Sequence, residues 1–255
     1  MIDLDLHPNS EHVTITINAT GEVIDLRELS FLLADYKIPD PNAKKHEVQV
    51  PGRDGTLDLT EALGGVYFEN RTIELVLNGN AITTEHFQRN CSVLRNKLDG
   101  KVCKVTFSDD LGYYWLGRMS VDAERLGRHH MSVTLHVDAY PYKLMIDGSY
   151  DPWRWDPFSF VDGVVTHPED VVVSNQTKTV TLPTDPARQK VTLWLNTGSS
   201  GSVRVRTNRE PTSTYHLLRL GRNRFPEVRM AADAETVLYI TGTGSVGVDY
   251  RRGSL

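Results

Sequence analysis

The sequence predicts an α+β N-terminal domain, mostly antiparallel strands with one helix, followed by an all-β sandwich. Three observations carry that reading. A single amphipathic helical stripe occurs, over residues 84–98. Around it, apolar residues alternate with polar ones at period two, as in half-buried strands. From residue 171 onward no helical period remains, and short apolar runs are punctuated by Asn, Gly, Ser and Pro every 8–12 residues. The predicted boundaries are 1–145 for the first domain, 146–165 for an aromatic and Pro-rich connector, and 166–255 for the sandwich.

The elements follow in order. Val13, Ile15 and Ile17 alternate with threonines and predict a strand; a second ends at Val48–Val50 and runs into Pro51-Gly52-Arg53-Asp54-Gly55, a cluster that forces a turn. Ile73, Leu75 and Leu77 share one face of a strand over 71–77. In the helix, Thr83 or Thr84 caps the first free N–H groups and Gly100 stands just past the end. Phe87, Cys91, Leu94 and Leu98 form its apolar stripe. Lys101–Phe107 and Tyr113–Arg118 predict a hairpin about the Asp109–Gly112 turn, and Met131–Val137 alternates as a further strand. Trp153, Trp155, Phe158 and Phe160 lie among prolines and predict a packed connector. Beyond it, seven short strands are predicted: Val171–Ser174, Lys178–Leu182, Val191–Leu195, Val203–Arg206, Tyr215–Leu218, Thr236–Thr241 and Val246–Tyr250.

Composition excludes several classes. With 255 residues, 39% hydrophobic and 24% charged, the chain has the balance of a folded protein. No apolar run approaches the ~20 residues of a membrane span. The first residues, MIDLDLHPNS, lack the basic start and apolar stretch of a secretory signal. Two cysteines build neither a disulfide framework nor a four-ligand zinc site. The net charge of −5 is uneven: −8 over residues 1–82, −1 over 83–200 and +4 over 201–255.

The chemical motifs are weak, and no catalytic, cofactor or metal site is expected. Gly242-Thr243-Gly244-Ser245-Val246-Gly247 matches the dinucleotide fingerprint, but Val248-Asp249-Tyr250 continues as a strand where the pyrophosphate needs a helix N-terminus. A glycine-rich hairpin turn is the expectation there. His130 and His136 share a strand face but lie roughly 20 Å apart, too far for one ion. Cys91 and Cys103 read as small core residues. Asp109-Asp110 is a turn signal before it is a carboxylate pair. Arg204 and Arg206 share a strand face, but the aromatics near them are not interleaved as a base-stacking platform, so no nucleic-acid pattern is expected. Trp194 points away from Leu193 and Leu195, which makes it the one tryptophan of the sandwich to consider for stacking on a sugar.

The order of motifs is more specific than any one of them. Val50-Pro51-Gly52-Arg53-Asp54-Gly55-Thr56-Leu57-Asp58-Leu59 resembles the PGRDG-x-LD segment of phage distal tail proteins. Tyr67 to Ile73 resembles that family's Y-x-NR-x-I strand. Leu98-Asp99-Gly100-Lys101 stands where the family closes a short helix, and Phe107–Asp110, Tyr113-Tyr114 and Gly117-Arg118 resemble its hairpin. Asp138 to Lys143 resembles the end of its first domain, with a looser fit at Ala139 and Tyr140. The resemblance covers residues 1–145 by motif and the rest by architecture alone.

The resemblance implies a structural hub at the tip of a long, flexible, non-contractile tail. It implies a homo-hexameric ring of N-terminal domains, possible stacking of two rings, and a galectin-like C-terminal sandwich. The implied partners are the tail tube protein, a tail-associated hub or lysin-like protein, and receptor-binding proteins, with no specific nucleic-acid binding and no membrane insertion. The implied place is the virion tail tip, assembled in the bacterial cytoplasm. Pro51, Gly52, Arg53, Asp54 and Gly55 are then candidates for a turn at the ring interface, and no enzyme activity is expected. The alternative is a carbohydrate-binding module that meets wall saccharide through Trp194.

Overall fold

The computed structural model describes residues 13–62, 64–79, 83–110, 112–123, 125–126, 130–150, 169–199 and 201–255. The chain divides into two compact units, Met1–Pro141 and Tyr142–Leu255. Both are antiparallel β throughout, and one helix occurs among the described residues. Most of the expected connector, with Trp153, Trp155, Phe158 and Phe160, lies outside the described residues.

The first unit contains β1 (Val13–Ile17), β2 (Val23–Ile24), β3 (Phe31–Lys37), β4 (Glu47–Gln49), β5 (Thr56–Asp58), β6 (Arg71–Gly79), α1 (Thr84–Leu98), β7 (Val102–Phe107), β8 (Tyr113–Asp122), β9 (Arg125–Leu126) and β10 (His130–Ala139). Its main sheet runs β2-β1-β7-β8-β10-β6-β3, with β9 paired to β10. The edge strand β3 turns back toward β7. Tyr36 stacks on Phe107 with ring centroids 4.7 Å apart, and its hydroxyl donates to Asp109 Oδ2 at 2.5 Å. The sheet is therefore nearly closed around one core.

Period-two patterning places that core. Ile73, Leu75 and Leu77 of β6 and Val133, Leu135 and Val137 of β10 are fully buried, and the paired strands put Leu75 opposite Leu135. The stripe of α1, Phe87, Cys91, Leu94 and Leu98, enters the same core, with Phe87 edge-on to Phe31. Thr83 caps the helix by accepting the His86 N–H, and Asn90 donates to the Leu29 carbonyl at 2.8 Å. Arg71 is buried, donates to the Pro141 carbonyl at 2.6 Å, and lies over the Trp115 ring. The short β4–β5 pair stands outside this sheet.

The second unit contains β11 (Lys143–Met145), β12 (Val171–Leu182), β13 (Lys190–Thr197), β14 (Val203–Thr207), β15 (His216–Leu217), β16 (Gly221–Arg229), β17 (Thr236–Asp249) and β18 (Gly253–Ser254). Six of these strands form one sheet in the order β15-β14-β17-β13-β16, with β12 against β17; β11 and β18 pair with each other. Strand β17 joins the halves. Its first part pairs with β14, from Leu238 to Gly242, its second with β13, from Ser245 to Asp249, and β12 follows both parts.

Several sequence expectations need correction here. The runs Val171–Ser174 and Lys178–Leu182 are one strand, interrupted by a bulge at Asn175, whose φ is 52°. Thr236–Thr241 and Val246–Tyr250 are likewise joined, so the glycine-rich 242–247 segment is strand and not a hairpin turn. Tyr215–Leu218 shrinks to the two residues of β15. Strand β16 was not expected, because Asn223, Arg224, Pro226 and Glu227 interrupt its apolar pattern. Asp185, fully buried, anchors the chain end by accepting the Gln189 and Gly253 N–H groups at 2.7 and 2.8 Å. Burial pushes its carboxyl above the usual range, while these amides and Arg252 pull the other way.

Candidate functional site

The residues singled out for chemistry are dispersed. Cys91 and Cys103 are buried, and desolvation raises both thiols, which removes them as nucleophiles. His136 is half-buried on β10 between Glu74 of β6 and Ser120 of β8; the side chain of His130 lies outside the described residues. Asp109 is engaged by Tyr36. Among the described residues, no three His, Cys, Asp or Glu side chains gather as metal ligands.

The Pro51–Gly55 cluster forms the tip of the β4–β5 ribbon. Glu47 pairs with Asp58, Val48 with Leu57 and Gln49 with Thr56. The turn begins with Arg53 N–H donating to the Val50 carbonyl, and Gly52 and Gly55 take φ of 82° and 76°, where a Cβ is disfavoured. All five residues are exposed. Neither Arg53 nor Asp54 has an ion-pair partner among the described residues. The base is tied down: Ala43 bridges Phe68, Lys44 N–H donates to Tyr67, and Leu59 N–H donates to His46. Along the ribbon, Val48, Val50 and Leu59 are 44%, 39% and 38% exposed. A two-stranded ribbon with exposed valines and leucine is a marginal structure in water, and covering that apolar surface would stabilise it.

Trp194 belongs to a second surface. It pairs with Gly247 of β17 on one side and Arg222 of β16 on the other, and it is half-buried while Leu193 and Leu195 beside it are buried. The ring of Tyr150 occupies the space above Gly247, where an added Cβ would lie 2.5 Å from Cζ. The Tyr150 hydroxyl donates to Asp170 Oδ1 at 2.5 Å. Asn196 Nδ2 donates to both Asp170 oxygens, at 2.8 and 2.9 Å, and the Ser245 hydroxyl donates to Oδ2. Burial raises the Asp170 carboxyl, but the donations from Ser245, Tyr150 and Asn196 outweigh it and leave the group below its ordinary range. The Tyr150 phenol is correspondingly raised, chiefly by its bond to Asp170. The network centres on Asp170, whose two oxygens accept from Tyr150, Asn196 and Ser245.

Sequence reasoning missed one arrangement. Arg204 and Arg206 of β14 do have aromatic partners, supplied by distant strands and loops. Arg204 lies over Tyr215 at 4.5 Å from the ring centre, and Arg206 over Tyr239 at 4.1 Å. The β14–β17 register, which sets Arg206 opposite Tyr239, is the signal that finds the second pair, and the β14–β15 register, with Val205 opposite His216, brings Tyr215 near for the first.

Taken together, a nearly closed antiparallel sheet with one helix, followed by a second antiparallel unit, defines a two-unit, mainly β protein. The chain shares this fold with the Dit protein of phage SPP1, whose structure is described as a paradigm of the hub adsorption apparatus in phages infecting Gram-positive bacteria. The identity is 13%, the TM-score 0.59, and the likeness covers 96% of this chain and 100% of that one. The phage P2 baseplate in its activated conformation with Ca is more distant, at 8% identity and TM-score 0.45 over 96% of this chain and 98% of that one. No protein-family model and no curated protein sequence matches the chain. No helix among the described residues is long and apolar enough to cross a membrane.

Proposed function

We propose that the chain is a distal tail protein: a structural, non-enzymatic hub in the tail tip or baseplate of a long-tailed phage. The observation that carries this is the end-to-end likeness to the SPP1 Dit fold, with both chains covered almost completely. In this reading the first unit forms a homo-hexameric ring that continues the tail tube. The second unit is the galectin-like domain, turned outward toward the hub, lysin-like and receptor-binding proteins. The β4–β5 ribbon suits a ring contact, since its exposed Val48, Val50 and Leu59 gain by covering. Rings are built from heterologous contacts that close after a fixed rotation. The −8 charge over residues 1–82 suits a lumen that passes DNA without holding it.

The test is direct. Purified full-length protein, examined by negative-stain microscopy and light scattering at tens of micromolar, is expected to give six-fold particles, single or stacked. A strict monomer at low and high salt that also fails to bind tail-tube ends overturns the reading. The saccharide alternative rests on the half-buried Trp194 beside Tyr150. It is disfavoured because the Asp170 carboxylate beside it is already engaged by Tyr150, Asn196 and Ser245. Micromolar binding of wall polysaccharide, abolished by Trp194→Ala, would restore it.

A further inference from the structure

We infer that the outer face of β14, β15, β17 and β12 is a binding surface for a phosphodiester polymer of the polyol-phosphate type. The inference goes beyond the hub reading and does not need the ring. It starts from register. Arg204 lies beside Leu217 of β15 and Thr241 of β17, and Thr241 lies beside Thr177 of β12. One row along, Arg206 lies beside Tyr239, and Tyr239 beside Thr179. None of these seven positions is acidic, and no carboxylate pairs with either arginine among the described residues. Arg209, by contrast, is paired with Asp233.

Each guanidinium lies over a tyrosine ring, Arg204 over Tyr215 and Arg206 over Tyr239. A guanidinium drawn to a ring face is restrained there, and its N–H groups can still meet an anion in bidentate fashion. The two arginines are two residues apart on one strand, hence ~6.6 Å, a spacing at which two charges of one chain can be met together. Around them lie hydroxyls: Thr177 and Thr241 are hydrogen-bonded to each other at 3.0 Å, and Thr179 is exposed. Leu217, 60% exposed, flanks the row.

The pattern favours a polyol-phosphate chain over a nucleic acid. A base-binding surface sets successive open aromatic faces along a groove; here each of the two rings already carries a guanidinium. Phosphates between short hydroxylated spacers fit alternating arginines and threonines. Residues 201–255 carry a charge of +4, which attracts a polyanion before contact.

The experiment uses the full chain and purified poly(glycerol phosphate), with binding read by interferometry at several salt concentrations. The parent protein is expected to bind at about 50 mM salt and to lose at least ~7-fold in affinity by about 200 mM. Arg204→Gln/Arg206→Gln is expected to weaken binding ~10-fold at low salt and to lower the salt slope by ~1.4, the share of two phosphate contacts on a flexible chain. Arg222→Gln/Arg224→Gln on β16 removes the same charge elsewhere and is expected to leave affinity within twofold. If the Gln pair does not fold, Arg204→Lys/Arg206→Lys keeps the charge but loses the planar fork, and at least a threefold loss is expected. The inference is overturned if the parent shows no binding, if both Gln pairs lose equally, or if the Lys pair retains full affinity. Tighter binding of a twenty-residue oligothymidylate or of polyglutamate overturns it in favour of a nucleic acid or an acidic protein.

Discussion

Two glycine-rich segments look alike in sequence and are opposites in the fold. Pro51–Gly55 forms the exposed tip of a ribbon, and a Cβ added at Gly52 or Gly55 meets nothing within 4 Å. Residues 242–247 run inside β17, where strands pack on both edges. There a Cβ at Gly244 would lie 2.5 Å from the Thr197 carbonyl oxygen, and one at Gly242 would strike the Ser202 carbonyl. Glycine serves conformation in the first segment and close approach in the second. The difference matters for function, since the first segment is free to be shaped by a partner while the second is committed to holding two halves of a sheet together.

The largest expected effect follows from that contrast. Gly242→Ala places a methyl against backbone that cannot rotate away, at a φ of 133° that side chains avoid. It is expected to destabilise the second unit by more than about 3 kcal/mol, combining overpacking with backbone strain. Chemical denaturation with Trp194 fluorescence reads it. A loss under about 1 kcal/mol would mean the strand can bow apart there, and the segment is less committed than its register indicates.

Next is Gly247→Ala, whose methyl would meet the Tyr150 side chain first. A side chain can move where backbone cannot, so about 1–3 kcal/mol is expected. Part of that loss comes from breaking the Tyr150–Asp170 bond. In a Tyr150→Ala background the same substitution is expected to cost much less, and the double-mutant cycle measures the coupling. Additive losses would place the clash elsewhere.

How much of this was legible in the sequence depends on whether the signal was local. The helix stripe and its Thr83 cap lie within a few turns of each other and were readable. So was the alternation of β6 and β10, because each strand buries one face. Strand β16 was hidden because it lies at a sheet edge, where Pro226 is tolerated and alternate residues need not be apolar. The continuity of β17 was hidden because glycine reads as a turn until its neighbours are known. The Arg–Tyr stacks were hidden because Tyr239 is 33 residues from Arg206 in sequence and adjacent only through register. The tip of the β4–β5 ribbon was legible for the opposite reason: its glycines answer to the local turn alone.

A third segment, around the turn at Pro211–Thr214, is held by charge and sharpens the contrast. Glu210 accepts from the Thr207 N–H and hydroxyl at 2.9 Å each, and from His216 at 2.5 Å. Burial raises its carboxyl, but these bonds outweigh burial and hold it below the ordinary value of 4.5. A depressed carboxyl contributes its full stability above the unfolded-state value and loses it as pH falls through the folded one. Unfolding of the second unit is therefore expected to become easier below about pH 4.5. Glu210→Gln is expected to cost about 1.5 kcal/mol near neutrality and to flatten part of that acid limb; Asp170 and Asp233, lowered in the same direction, retain a further part. An unchanged acid limb in Glu210→Gln assigns it to Asp170 and Asp233 instead.

The smallest stability effects are expected at the ribbon tip, and there they are most informative. Gly55→Ala should cost about 1 kcal/mol locally, because φ of 76° penalises a Cβ even in open space. Arg53→Ala should cost almost nothing, within about 0.5 kcal/mol, because the side chain is exposed and meets no carboxylate among the described residues. That near-zero value turns assembly into a clean readout. If the tip contacts a neighbouring copy, an arginine there makes charge-assisted bonds across the interface that its removal deletes, with no loss of fold to confuse the result. Arg53→Ala is thus expected to melt like the parent while showing fewer rings by light scattering. Gly55→Ala, which distorts the turn but keeps the arginine, should lose fewer. Rings formed normally by Arg53→Ala would remove the tip from the interface and leave the apolar flank of Val48, Val50 and Leu59 as the part of the ribbon to test next.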